Sequence, residues 1–244
     1  MVTAMRRLTR LAAAAAIMLA LSGCLYKKET KLDNVTAVRE SILLVQNAVD
    51  TYKQRTGVLP IKNSEASTPI YEKYILDMRK LKDGHYLSQL PSVSYENGGS
   101  AIFLLVNAET KPEVRVMDLV AYQQAGDLQN RVKEYQAAHQ GQLPVGPAIA
   151  PHFYQLDFDK LGMKLPQVES RYSRAYLTFG VHESGTVLID YAPDLMKLIT
   201  ERSLAAGLNG TTDLRSILVQ ESPFVPAKSY PYRWKDGQPV LSES

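Results

Sequence analysis

The sequence predicts an α+β fold of two repeated units, each a long amphipathic helix followed by an irregular segment and an antiparallel β-hairpin, with C-terminal helices and a tail. Three observations predict it: an apolar stripe of helical period that occurs twice, a Gly-x-Leu-Pro exit after each stripe, and strand-like runs that close each copy. From Asn34 onward, Val38, Ile42, Val45, Val49 and Tyr52 recur at spacings of four and three, which puts them on one face of a helix. Gly57 accepts the left-handed geometry of a helix C-cap and Pro60 cannot continue the helical ladder, so Gly57-Val58-Leu59-Pro60 ends the element.

The same pattern returns further along the chain. Val45-Gln46-Asn47-Ala48-Val49-Asp50-Thr51-Tyr52 is echoed by Leu128-Gln129-Asn130-Arg131-Val132-Lys133-Glu134-Tyr135, and the exit by Gly141-Gln142-Leu143-Pro144. The offset is 83 residues in the helix and 84 at the exit, the signature of a duplicated unit. Fainter matches follow: Tyr74-Ile75-Leu76-Asp77 with Tyr154-Gln155-Leu156-Asp157, Leu81 with Leu161, and Leu90-Pro91 with Leu165-Pro166.

Each copy then closes in extended runs. In the first these are residues 101–106 and 114–119, joined by a polar stretch with Lys111-Pro112; in the second, residues 172–181 and 186–191. Ala175, Leu177, Phe179 and Val181 alternate on one face of the latter pair. A hairpin alone is marginal in water, so each is expected to pack on the helix before it. After the repeats, Leu195, Leu198 and Ile199 mark a helix with Pro193 near its start and Gly207 near its end, and Leu214, Ile217 and Leu218 mark another. Three prolines then punctuate an aromatic tail, in which residues 232–237 read as a strand entering a turn.

The N-terminus carries a different signal. Residues 1–23 hold Arg6, Arg7, Arg10 and no acid, then an apolar run from Leu11 to Leu21, then Leu21-Ser22-Gly23-Cys24. The run is too short for the roughly 20 residues of a membrane-spanning helix and has the layout of an export signal. Its removal leaves 25 basic against 25 acidic side chains, so a nucleic-acid-binding reading loses its main electrostatic motive and no nucleic acid is expected as a partner. Cys24 is the single cysteine of the chain, which excludes an internal disulfide framework and a thiolate metal site.

The expected organisation is a signal peptide at 1–23, a lysine-bearing tether at 24–33, a first repeat at 34–119, a second at 120–191, and a C-terminal segment at 192–244. No phosphate-binding glycine loop, His-Glu-x-x-His, Gly-x-Ser-x-Gly or calcium loop occurs. His85, His139, His152 and His182 lack close ligand spacing, and no metal or cofactor is expected. Asp77 and Asp157 occupy matched places in the two copies; as a facing pair they would suit acid/base work, as turn residues they would cap a short helix. Tyr52 and Tyr135, also matched, are expected in the core. Tyr230, Tyr232 and Trp234 are the candidate surface for a ligand or partner.

Leu21-Ser22-Gly23-Cys24 resembles the bacterial lipobox. That resemblance implies that Cys24 becomes the mature N-terminus, carries diacylglycerol and a further acyl chain such as palmitate, and anchors the chain to membrane lipid on the extracytoplasmic side. The helix with its Gly-x-Leu-Pro exit resembles the region that follows the membrane segment in type II secretion pseudopilins of the major-subunit type, over about 35 residues per copy. Here the export segment ends in a lipobox and the unit is doubled, so the resemblance implies a small helix-plus-sheet fold without a pilus. The whole layout is similar to Bacillus-type envelope lipoproteins. The leading expectation is a nonenzymatic scaffold or interaction module with an envelope protein partner. A solute- or glycan-binding lipoprotein serving a transporter comes next, favoured by a pocket between the units, and an envelope hydrolase using the paired acids last.

Overall fold

The computed structural model describes residues 34–243. The expected export signal at 1–23, the expected lipidation site Cys24 and the expected tether at 24–33 lie outside the described residues. Among the described residues, no helix is long and apolar enough to cross a membrane.

Helix α1 (Val35–Thr56) begins where the Asn34 carboxamide accepts a hydrogen bond from the Ala37 amide, and it ends at Gly57, whose φ of 76° is the left-handed cap geometry expected from the sequence. Val38, Val45, Ala48 and Val49 form its buried face. The connection after it contains the short helix α2 (Met78–Asp83) and leads to the antiparallel hairpin of β1 (Ala101–Val106) and β2 (Glu113–Asp118). Ala101, Phe103 and Leu105 of β1 point into the core shared with α1, whereas Leu104 and Val106 point to the opposite face, so the hairpin is buried on both sides.

Helix α3 (Leu119–Ala138) follows β2 without a loop. Asp118 makes the corner by accepting a 2.9 Å bond from the Val120 amide and a 2.6 Å bond from Arg171 Nε. Ala121, Ala125, Leu128 and Val132 form the buried stripe of α3. Beyond it, β3 (Val145–Ala150), β4 (Phe153–Leu156), β5 (Thr178–His182) and β6 (Val187–Asp190) make a four-stranded antiparallel sheet in the order of the chain. The run at 172–181 becomes regular strand only from Thr178, and Ala175 before it is exposed.

The two units repeat their contacts as well as their order. Gln46 of α1 accepts a 2.8 Å bond from the Val114 amide and donates to the Pro112 carbonyl; Gln129 of α3 accepts a 2.8 Å bond from the Val187 amide and donates to the Gly185 carbonyl. In each unit one glutamine therefore ties the helix to the second strand of its hairpin. The exits match too: Asp77 N donates to the Pro60 carbonyl at 2.8 Å, and Asp157 N to the Pro144 carbonyl at 2.9 Å. Bridges of Ile61 to Leu76 and of Ile75 to Leu104 put single residue pairs in the first unit where the second has the full strands β3 and β4.

The C-terminal segment joins the units. Helix α4 (Ala192–Glu201) carries Pro193 in its first turn and buries Leu195 and Ile199; a 3₁₀ turn at Ala205–Gly207 follows the helix. After α5 (Arg215–Glu221) the chain runs extended between the two sheets. Val116 of β2 donates to the Pro223 carbonyl and accepts from the Val225 amide, and Ile189 of β6 donates to the Lys228 carbonyl. One segment thus hydrogen-bonds to β2 and to β6, an edge strand of each sheet, and covers those two edges. Phe224 enters the first unit's core, and Val219, Val225 and Ala227 cover the outer face of β1 and β2. The hairpin of β7 (Tyr232–Lys235) and β8 (Gln238–Leu241) turns at Asp236 and Gly237, both with positive φ, as a two-residue hairpin requires.

Candidate functional site

A cleft of about 960 Å³ opens where the two units and the C-terminal segment meet. Helix α3 supplies Tyr122, Gln123, Gly126 and Asn130; the connection after α1 supplies Ile70 and Glu72; the C-terminal segment supplies Arg215, Lys228 and Tyr230. Gly126 matters for the shape of the cleft. A Cβ added there meets no atom within 4 Å, so the missing side chain leaves open space. The matched residue of α1 is Leu43, which shows that the duplicated helix carries a glycine at this place in the second copy.

The two cations at the cleft are paired within the fold, whereas Asp127, which also lines it, is exposed on α3. Glu72 takes both the backbone amide and the ammonium of Lys228, each at 2.9 Å, and the same ammonium lies 4.4 Å from the centre of the Tyr122 ring. Arg215 is bound by Asp213 at 2.8 Å and donates to the Ser229 carbonyl at 2.7 Å. Burial, with Asp213 nearby, pushes the Tyr71 phenol beneath Arg215 up to about 12, so it stays neutral. The Asp127 carboxylate, the Gln123 and Asn130 carboxamides and the Tyr230 hydroxyl remain as groups through which the cleft can recognise a ligand.

The aromatic trio read from the tail does not form one exposed surface. Tyr230 lines the cleft, packed edge-on against Phe153 with ring centres 4.9 Å apart. Tyr232 is a correction: it is fully buried, and its hydroxyl donates to Asp190 at 2.8 Å while accepting from the Tyr191 amide at 2.7 Å. The reason is that β7 lies on the second unit's core and not on its outside. Trp234 is half-buried against the same core.

Asp77 and Asp157 are helix and turn caps. Asp77 accepts from the Lys80 amide at 3.0 Å and Asp157 from the Lys160 amide at 3.1 Å, each also facing the ammonium of that lysine. The Lys160 amide bond holds the Asp157 carboxyl below its usual range, the reverse of what a general acid needs. Each carboxylate is engaged locally as a cap, the second of the two roles the sequence offered for the pair. Tyr52 packs against Tyr86 at 5.0 Å, whereas Tyr135 stacks on His139 at 3.8 Å at the end of α3.

Two of the four histidines come together with acids. His152 Nδ1 lies 2.6 Å from Glu183 Oε2, and His182 Nε2 lies 2.8 Å from Glu243 Oε1. The hydrogen bond to Glu183 raises His152 above its ordinary value. The cleft lining from α3 was hidden in sequence because polar residues on an amphipathic helix read as its solvent face. The exchange of Leu43 for Gly126 between the copies was the one signal available.

Residues 38–118 match a family model described as the YphF family N-terminal domain. That stretch runs from the first buried residue of α1 to the last residue of β2, so a domain of this family is present and coincides with the first unit. No curated protein and no solved structure matches the chain.

Proposed function

We propose that this chain is a nonenzymatic, lipid-anchored envelope protein on the extracytoplasmic side of the membrane, which holds a neutral, hydroxyl-rich solute or glycan segment in the cleft between its two units. The observation that carries the reading is the cleft itself. Its volume of about 960 Å³ lies within the range of small-molecule sites, roughly 300–1,000 Å³, and it sits at a junction of units where such sites occur. An anion is disfavoured because Lys228 and Arg215 already have carboxylate partners, so it would have to displace Glu72 or Asp213, and because Asp127 adds a negative charge to the lining; the Asp127 carboxylate can accept hydrogen bonds from the hydroxyls of a neutral ligand. Tyr230 and Tyr122 offer aromatic faces, and Gln123 and Asn130 offer amides, the combination suited to sugar rings and their hydroxyls. The anchor rests on Leu21-Ser22-Gly23-Cys24 and the apolar run before it.

The test uses the full lipoprotein extracted from membranes in mild detergent and observed by native mass spectrometry. A small molecule should accompany the wild-type chain and be absent from Gly126→Trp, which fills the cleft from a position with space for the new side chain. If the wild type carries no small molecule, and in-cell crosslinking instead recovers the same envelope protein from both forms, the ligand-binding reading falls. The scaffold reading then takes its place. Leu43 and Leu44, 66% and 47% exposed on α1, are the observation that favours it. For the anchor, Cys24→Ala should release the protein from the membrane fraction; retention of processed protein at high salt would overturn that part.

A further inference from the structure

Chain segments remote in sequence bring nitrogen and oxygen ligands to one place at an end of the second unit's sheet. His182 ends β5, Glu183 begins the turn after it, and Glu243 follows β8; one ligand atom from each lies within 4.8 Å of the others. His152, from the turn between β3 and β4, stands behind Glu183 with Nδ1 2.6 Å from Oε2. His182 is buried and its ring is fixed on every side. Phe153 packs against it at 4.9 Å, Tyr230 stacks on it at 5.2 Å, and Ser184 Oγ lies 2.8 Å from Nδ1 with Thr186 Oγ1 a further 2.9 Å on.

We infer that His182, Glu183 and Glu243, with His152 supporting Glu183, form a binding site for a first-row divalent transition-metal ion, zinc above all, which clips the C-terminal end of the chain to the β5–β6 turn. Two carboxylates neutralise a divalent charge, and an imidazole beside them selects a borderline ion over calcium or magnesium, which prefer oxygen alone. The Ser184 amide donates to His182 Nδ1 at 3.2 Å, so Nε2–H faces Glu243; an ion bound at Nε2 takes the place of that proton, which moves to Nδ1, where Ser184 Oγ at 2.8 Å accepts it. His152 takes the outer place for Glu183, since its Nδ1–H donated to Oε2 fixes that carboxylate while the other oxygen stays available. The hydrogen bond between His182 and Glu243 already holds two of the ligands close in the absence of the ion, so binding needs only short movements of two exposed glutamate side chains.

The site adjoins the cleft through shared residues. Tyr230 stacks on His182 and lines the cleft, and Thr186, at the end of the Ser184 relay, lines it too. An ion bound here would therefore order one side of the cleft.

The experiment titrates zinc sulfate into the full lipoprotein in detergent, without a histidine tag and after stripping with EDTA, by calorimetry at neutral pH. One saturable site per chain is expected, unaffected by equimolar calcium and accompanied by a rise in melting temperature. Glu243→Gln and Glu183→Gln, both at side chains that are more than half exposed, should keep the wild-type circular dichroism and weaken zinc binding by at least about 10-fold. Ser184→Ala, which frees the His182 ring without removing a ligand, should weaken it by about 10-fold or more. The cobalt-loaded protein should show visible ligand-field bands that Glu243→Gln alters. Absence of saturable zinc uptake by the wild type, or equal affinity in Glu243→Gln, overturns the site.

Discussion

Gln46 and Gln129 each use both ends of one carboxamide to tie a helix to a strand, and each leaves a buried amide without its partner when shortened. Gln46→Ala should destabilise the protein by about 1–3 kcal/mol through the Val114 amide, and Gln129→Ala by a similar amount through Val187. Since the two clamps share no partner, their effects should add to within about 0.5 kcal/mol in the double variant, measured by urea unfolding. A large coupling would mean that the clamps are not independent. Asp194 offers a pH test at the same scale. It is 4% exposed and accepts from Ser170 Oγ at 2.8 Å, and burial raises its carboxyl above the ordinary 3.8. The folded state therefore favours the protonated form. The contribution of Asp194 to stability is full below its unfolded value and is lost as pH rises through its raised folded value. Against Asp194→Asn, whose amide does not titrate there, the wild type should lose relative stability as pH rises above about 4. A difference that grows in the wild type's favour with pH would contradict the sign.

At the scale of elements, α1 and α3 were legible because their stripes repeat Val, Leu and Ala at helical spacing, and the ends of α1 followed from Asn34 and Gly57. The turn at Asp236-Gly237 was equally plain, because few residue pairs accept positive φ twice in succession. Strands β3 and β4 were not legible. Val145–Ala150 contains Gly146 and Pro147 and alternates weakly, and Phe153–Leu156 is four residues long, so pairing to β5 and not local propensity makes these strands. Helix α3 carries its own prediction. Gly126 has no positive φ and no atom within 4 Å of an added Cβ, so Gly126→Ala should raise stability by about 0.5–1 kcal/mol, seen as a higher melting temperature. Gly99 is the opposite case: a Cβ there would lie 2.0 Å from the Val93 carbonyl oxygen, and Gly99→Ala should destabilise the first unit.

Across the whole molecule the decisive element is the segment from Pro223 to Lys228, which bonds to both sheets and sends Phe224 into the first core. The first unit, although it matches a family domain by itself, is completed by residues more than a hundred positions away. Phe224→Ala should therefore cost about 3–5 kcal/mol, and native-state hydrogen exchange should show the loss at the amides of α1 and β2 as well as in the C-terminal segment. Loss confined to the C-terminal segment would show that the first unit stands alone.

The sequence by itself determined the two helices, their shared exits and the hairpins that close each unit, because each depends on residues close together in the chain, whereas it offered Asp77 and Asp157 both as caps and as a pair. The charge balance was likewise written in composition alone, and the expectation of an export signal rests on residue order alone. Only the tertiary structure decided that Tyr232 is core, that the two sheets are joined by an extended segment, that α3 turns Tyr122, Gly126 and Asn130 toward a cleft, and that His152, His182, Glu183 and Glu243 meet. Those outcomes depend on which surfaces pack and which strand edges pair, and contacts between residues tens to more than a hundred positions apart leave no local period or spacing in the chain.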